Sequence, residues 1–441
     1  MLFTSIEFLF LFLPLTLAVY FVLPLRWGLK NAWLLAASLL FYAWGEPTFV
    51  FVMLGSIAFN YVAALVVDAA RGRRGAAGAA LAAAVAGNLA VIGLWKYANF
   101  ATATLRAWFP SLRGAVPQTS FLLPIGISFF TFQALSYVVD VARGDVKVQR
   151  NPLRLALYIA LFPQLIAGPI VRYSTVCGQI ESRRTTPDMF GRGVLRFLYG
   201  FNKKMLLANL FASVADRAFG MPDPGCGMAW LGAAAYTLQI FFDFSGYSDM
   251  AIGLGLVFGF RFLENFDYPY VSKTVTEFWR RWHMSLGSWF RDYVYFPLGG
   301  SRVGRARLVA NLAVVWTLTG VWHGANWTFI LWGALYGVLI TAEKLADLPR
   351  RVDANPLLRA VYQPFTLLAV VLGWVLFRSA DLPAAGAYLK AMFGGGAGSA
   401  PGLAAYQLGE IAAVLAAGAL LSTPLVRGLR RRLDGSAAAG T

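Results

Sequence analysis

Residues 278–300 read FWRRWHMSLGSWFRDYVYFPLGG, and residues 319–327 read TGVWHGANW. The chain has 441 residues and only two histidines, and both are in these stretches: His283 after Trp282, and His323 after Trp322. His323 also lies within 308–342, a run with no Asp, Glu, Lys or Arg. That run is too long for a single span of about 20 residues and too apolar for a loop. Gly320, Gly324 and Asn326 interrupt it around the histidine. Neither half alone would quite cross a hydrocarbon core of about 30 Å. The expected arrangement is a hairpin or broken helix pair whose bend holds His323 near the middle of a thinned membrane region. Gly324 would permit the turn, Asn326 would cap the second helix, and Trp322 and Trp327 would pack around it. Irregular backbone at that depth survives only inside protein or against a water-filled cavity. An ionisable side chain there is a functional candidate.

Composition agrees with a membrane setting. The chain is 58% hydrophobic and 13% charged, whereas soluble domains carry roughly 25% charged residues. It has 38 basic and 21 acidic residues, a net charge of +17. The bases cluster between apolar runs, so they read as topology signals of cytoplasmic loops. No basic stripe with interleaved stacking aromatics lies outside the apolar segments, so nucleic acid is not an expected partner. Cys177 and Cys226 allow one disulfide at most, and neither sits in a CxxC or beside a histidine. The first apolar run lacks a basic n-region and a small-residue cleavage site, so it reads as a first span.

Uncharged runs place the expected segments at 8–25, 31–44, 47–67 and 75–95, with a short interfacial helix at 101–110. Further runs cover 114–139, kinked or started by Pro124 and Gly126, and 155–171, broken by Pro163, Gly168 and Pro169. A polar loop is expected at 172–192, an amphipathic segment at 193–219 and a span at 227–242. After the two halves of 308–342 come 360–377 and 411–426. The reading is all-α and polytopic, with roughly eleven membrane-embedded segments. It is one integral-membrane domain over 1–441, with a core at about 120–345 and C-terminal helices over 360–426. A flexible connection is expected at 394–401 and a basic tail at 427–441. DFSGYSDMAIG at 243–253 places Asp243, Ser245, Tyr247, Ser248 and Asp249 in apolar surroundings, as a membrane-edge turn or as a cavity lining. The 261–307 region holds eight bases against four acids, and with the 427–432 bases it reads as cytoplasmic, including Arg305 and Arg430.

On one helix over 279–293, Trp279, Trp282, Leu286, Trp289, Phe290 and Tyr293 share a face, and His283 falls on it. A polar ring buried among aromatics needs a partner, so His283 is either a structural hydrogen-bonder or a positioning group. His323 can act as a general base near neutral pH, or it can bond a neighbouring helix. No GxSxG, GxxxxGK[ST] or HExxH occurs, and no cysteine or acidic cluster flanks the histidines, so no metal site is expected.

Further motifs are FYAWGEP at 41–47, LLPIGISFFTFQALSYVVD at 122–140, FPQLIAGPIVR at 162–172, FFDFSGYSDMAIG at 241–253 and GWVLFRS at 373–379. Together with the two histidine stretches they resemble the membrane-bound O-acyltransferase (MBOAT) family, in its alginate O-acetyltransferase branch. The resemblance implies a ring of membrane helices around a thinned centre, with a channel from the cytoplasmic face. It matches His323 to the family's essential histidine and His283 to its second marked histidine. Trp279, Trp282, Ser285, Tyr247, Asp249, Asn326 and Trp327 become substrate-channel candidates. It also implies acetyl-CoA or a similar acyl donor as co-substrate from the cytoplasm, with no bound cofactor. A multi-pass place among the lipids of the bacterial inner membrane follows, as do a periplasmic acetyltransferase partner and exopolysaccharide machinery. Two alternatives stay open. One is a family member with another acceptor, for D-alanylation of teichoic acid or for protein or lipid acylation. The other is a transporter or flippase, which an internal repeat would favour; none is visible.

Overall fold

The computed structural model describes residues 1–22, 26–396, 398 and 402–429, with the backbone alone at Arg74. The end of the expected first span at Leu25, most of 397–401, and the tail beyond 429 with Arg430 lie outside the described residues. All regular structure among the described residues is helical. The α-helices are α1 Leu13–Val22, α2 Trp27–Gly45, α3 Val50–Ala69, α4 Arg74–Ile92, α5 Ala98–Trp108, α6 Ile127–Arg143 and α7 Pro152–Ala160. Next come α8 Phe162–Leu165, α9 Tyr173–Glu181, α10 Pro187–Asn202, α11 Asn209–Gly220, α12 Gly225–Val257, α13 Val275–Arg281 and α14 Met284–Phe290. The chain continues through α15 Arg305–His323, α16 Trp327–Leu345, α17 Leu348–Ala354, α18 Pro356–Arg378, α19 Leu382–Met392 and α20 Leu403–Leu421.

Six helical stretches are long and apolar enough to cross a membrane: Val50–Ala69, Gly75–Trp108, Gly225–Val257, Trp327–Leu345, Pro356–Arg378 and Leu403–Leu421. Phe8–Val22 is a shorter apolar helix. The chain is thus an all-helical, polytopic membrane protein.

The helices fall into two compact units: 1–201 with 247–263, and 202–246 with 264–441. In the first unit a set of rings closes the core. Phe8, Phe12, Phe41 and Phe162 are buried, and Phe162 meets Phe12 edge-on at 5.3 Å between centroids. Arg183 is buried in this unit and stitches it together by donating to Asn31 Oδ1, the Tyr20 hydroxyl and the Phe258 carbonyl. Several expectations need correction here. The 101–110 helix is not separate: Gly75–Trp108 is continuous through a π-helical turn at Gly93–Tyr97. The 172–192 stretch is not all loop but contains α9, which buries Tyr173, Val176 and Ile180 on one side. The 155–171 run is not one span. Helix α7 stops at Ala160, and Pro163 sits in the first turn of the short α8, where a missing N–H is harmless.

Helix α12 shows no turn where DFSGYSDMAIG suggested one; the helix runs unbroken through it. Polar residues there do not break the helix because a helix satisfies its own backbone groups. The short helices α17 and α19, unexpected from hydropathy, start at proline-bearing first turns, and Asp381 caps α19 by accepting from the Ala384 N–H.

Candidate active site

Both histidines belong to the second unit, and each stands where a helix is interrupted. Helix α15 ends at His323, and α16 begins four residues later at Trp327. Asn326 caps α16: its Oδ1 accepts the Thr328 N–H at 3.1 Å, and its Nδ2 donates to the Ala380 carbonyl at 2.6 Å. Gly324 is needed for a different reason from the one expected. Its φ of −172° is ordinary extended backbone. The Phe329 ring lies so close that an added Cβ would come within 2.2 Å of it. The two helices of this hairpin also touch backbone to backbone. A Cβ on Gly320 would lie 2.5 Å from the Phe329 carbonyl oxygen, and one on Gly333 would lie 2.5 Å from that of Trp316. Small residues permit this approach.

The other histidine interrupts what the sequence predicted as one helix over 279–293. Helix α13 ends at Arg281 and α14 starts at Met284, with His283 between them at φ 44°, ψ 54°. This left-handed conformation costs a non-glycine residue roughly 1–2 kcal/mol. Asn265 offsets it with three bonds. Its carbonyl accepts the Met284 N–H at 2.9 Å. Its Oδ1 accepts the Ser285 N–H at 3.2 Å and the Ser285 hydroxyl at 2.8 Å. The same Oδ1 lies 3.1 Å from His283 Nδ1. The predicted aromatic face survives the break, with Trp282, Leu286, Trp289 and Phe290 all buried.

The rings form a connected wall. His323 meets Trp322 at 4.8 Å, Trp332 at 4.9 Å and Phe377 at 5.2 Å between centroids. His283 meets Phe244 at 4.7 Å and Trp322 at 5.9 Å. Trp322 therefore stands against both histidines. Trp279 packs on Trp332 at 5.3 Å, and Trp282 on Trp374 at 4.8 Å. The structure thus brings His283, His323, Trp279, Trp282, Ser285 and Asn326 into one unit around this wall. Trp327 begins α16 and is 36% exposed. Tyr247 and Asp249 belong to the other unit. There Tyr247 stacks on Phe3 at 4.7 Å, and Asp249 pairs with Arg196 at 2.6 Å.

His283 is 2% exposed and lies outside the six long spans. Burial lowers its pKa to about 3, so its ring is neutral at pH 7. A neutral imidazole can accept a hydrogen bond from a hydroxyl, and both rings stand in one aromatic wall at helix interruptions.

The membrane-bound O-acyltransferase family model matches residues 118–374, which take in both histidines. The chain belongs to this family. It is 47% identical to a probable alginate O-acetylase AlgI of Azotobacter vinelandii, over 89% of this chain and 78% of that protein. It is 32% identical to the peptidoglycan O-acetyltransferase of Helicobacter pylori, over 89% of this chain and 80% of that protein. A teichoic acid D-alanyltransferase of Bacillus subtilis is 31% identical over 51% of this chain and 60% of its own length. The protein is an acyltransferase.

In this MBOAT chain, sequence reasoning missed Asn265 and three further supports of the site. Trp332 and Phe377 complete the ring around His323, but inside apolar helices they look like core. Glu343 follows the uncharged run, and a glutamate is ordinarily exposed to water. Its carboxylate is instead fully buried and accepts the Val275 and Thr276 N–H groups at 2.7 Å each, and the Tyr362 hydroxyl at 3.1 Å. It thereby holds the start of α13, whose far end leads into His283. No sequence signal marked it, because its partners are 67 and 68 residues away.

Proposed function

We propose that this protein moves an acetyl group from a cytoplasmic thioester donor, acetyl-CoA, across the inner membrane for O-acetylation of an exopolysaccharide. The observation that carries the reading is the position of His323. It terminates α15 at the interruption that precedes the membrane-span helix α16, inside an aromatic wall, in a chain similar to O-acetylases over most of its length. His323 accepts the proton of an acceptor hydroxyl as the oxygen attacks the thioester carbonyl. The C–S bond then breaks, and the leaving thiolate takes the proton back from the imidazolium. Most of the acceleration comes from holding two substrates in line in a dry site.

The donor is polyanionic. Arg280, Arg302, Arg305 and Arg307 are exposed and form no ion pair among the described residues, which suits attraction of such a ligand. The acceptor hydroxyl comes from the opposite side, on a carrier or on a periplasmic acetyltransferase that passes the group to the polymer. The single-domain reading over 1–441 fits a family model that covers residues of both units.

The test is complementation. A strain lacking its own exopolysaccharide O-acetylase should regain ester-linked acetate on its polymer when this chain is expressed. Polymer that stays free of acetate while the protein accumulates in the membrane would contradict the acceptor class.

A further inference from the structure

We infer that Asn265 is a positioning residue that fixes the tautomer of His283, so that His283 presents a bare Nε2 and serves as a hydrogen-bond acceptor for the hydroxyl substrate. The inference rests on reading His283 as part of the acyl-transfer site.

The Ser285 N–H can only donate, and it points at one side-chain atom of Asn265 at 3.2 Å. That atom must therefore be the oxygen, which settles the orientation of the amide. The same oxygen lies 3.1 Å from His283 Nδ1. Two acceptors do not attract, so Nδ1 carries the proton. In a neutral imidazole the lone pair then resides on Nε2. The Ser285 hydroxyl, which also donates to Asn265 Oδ1, cannot compete for the Nδ1 proton.

Phe244 and Trp322 pack on the ring, and the Ser285 hydroxyl lies 3.4 Å from its Nδ1. Asp243 and Asp267, which flank these segments in sequence, are paired with Lys204 and Arg281. The contact that orients Nδ1 is the neutral amide of Asn265. A bare Nε2 cannot donate to a developing oxyanion. It can accept an O–H, which holds an acceptor hydroxyl in place while His323 serves as the base. Oxyanion stabilisation, which needs a donor, is not available at Nε2 in this tautomer.

The chain's two histidines make the test direct. The full-length protein, labelled with 15N-histidine in lipid bilayers, gives two imidazole spin systems at pH 7, and His323→Gln assigns them. His283 should show a protonated Nδ1 and an unprotonated Nε2. A protonated Nε2 on His283 in the wild-type protein would overturn the inference. This readout needs no catalysis, so it is separate from the test of acyl transfer itself.

A second arm reads the consequence. Asn265→Asp keeps the accepting oxygen and adds a charge, which should raise the His283 pKa in the same spectra by about 1–3 pH units. Its kcat should stay within about tenfold of wild type, whereas Asn265→Ala should lose about 100-fold with the KM for the acyl donor little changed. An unmoved His283 titration in Asn265→Asp would also overturn the assignment.

Discussion

At the residue scale the molecule turns on two imidazoles in different backgrounds. His323 is half-buried at a helix terminus, while His283 is buried and held neutral by that burial. With burial lowering its pKa to about 3, His283 stays essentially neutral from pH 7 down to pH 5. Any loss of activity between pH 7 and pH 5 therefore belongs to another group. His283→Ala should reduce turnover strongly while its residual activity keeps the wild-type acid limb. A limb that disappears in His283→Ala would show that this ring titrates near neutrality. Unchanged turnover with a large loss of thermal stability would leave His283 only a structural part. Both histidines were legible in the sequence, because they are the only two and each follows a tryptophan. Asn265 was not legible, since an asparagine in an ordinary loop carries no signal until its partner 18 residues away is placed against it.

At the element scale, apolar patterning located the α15–α16 hairpin but misread the segment that bears His283. A hydrophobic face at helical spacing stays in phase across a two-residue break, so periodicity cannot see the interruption between α13 and α14. The break depends on bonds from Asn265 outside the segment. Two predictions belong here. Glu343→Gln turns one acceptor of the buried carboxylate into a donor that faces a backbone N–H. The unsatisfied pair should cost about 1–3 kcal/mol, visible as a lower unfolding temperature in detergent together with reduced activity. An unchanged unfolding temperature would mean that α13 is held by other contacts. Gly333→Ala would push a methyl group into the Trp316 carbonyl. It should destabilise the hairpin by about 1–3 kcal/mol, whereas Gly409→Ala, with open space around it, should not. Equal stability of the two variants would contradict the close packing of α15 and α16.

At the scale of the whole molecule, hydropathy conveyed the membrane class and most of the long helices, because uncharged runs of sufficient length have few other uses. It did not convey the division into two units or the unbroken course of α12. Those depend on packing between segments distant in the chain. Orientation follows from the bases. Arg305 should face the cytoplasm. After Cys177 and Cys226, both free thiols, are replaced, Arg305→Cys should resist an impermeant thiol reagent in intact spheroplasts. Efficient labelling there would reverse the topology. The central claim is that one imidazole at the hairpin break serves a donor and an acceptor on opposite faces. Its most direct test uses sealed inverted vesicles that hold the periplasmic acceptor machinery and polymer inside. Labelled acetyl-CoA is supplied outside, with wild-type or His323→Ala protein at equal abundance. Wild type should deliver label to the enclosed polymer, and His323→Ala should deliver at least about 100-fold less. Equal delivery by His323→Ala would contradict the account.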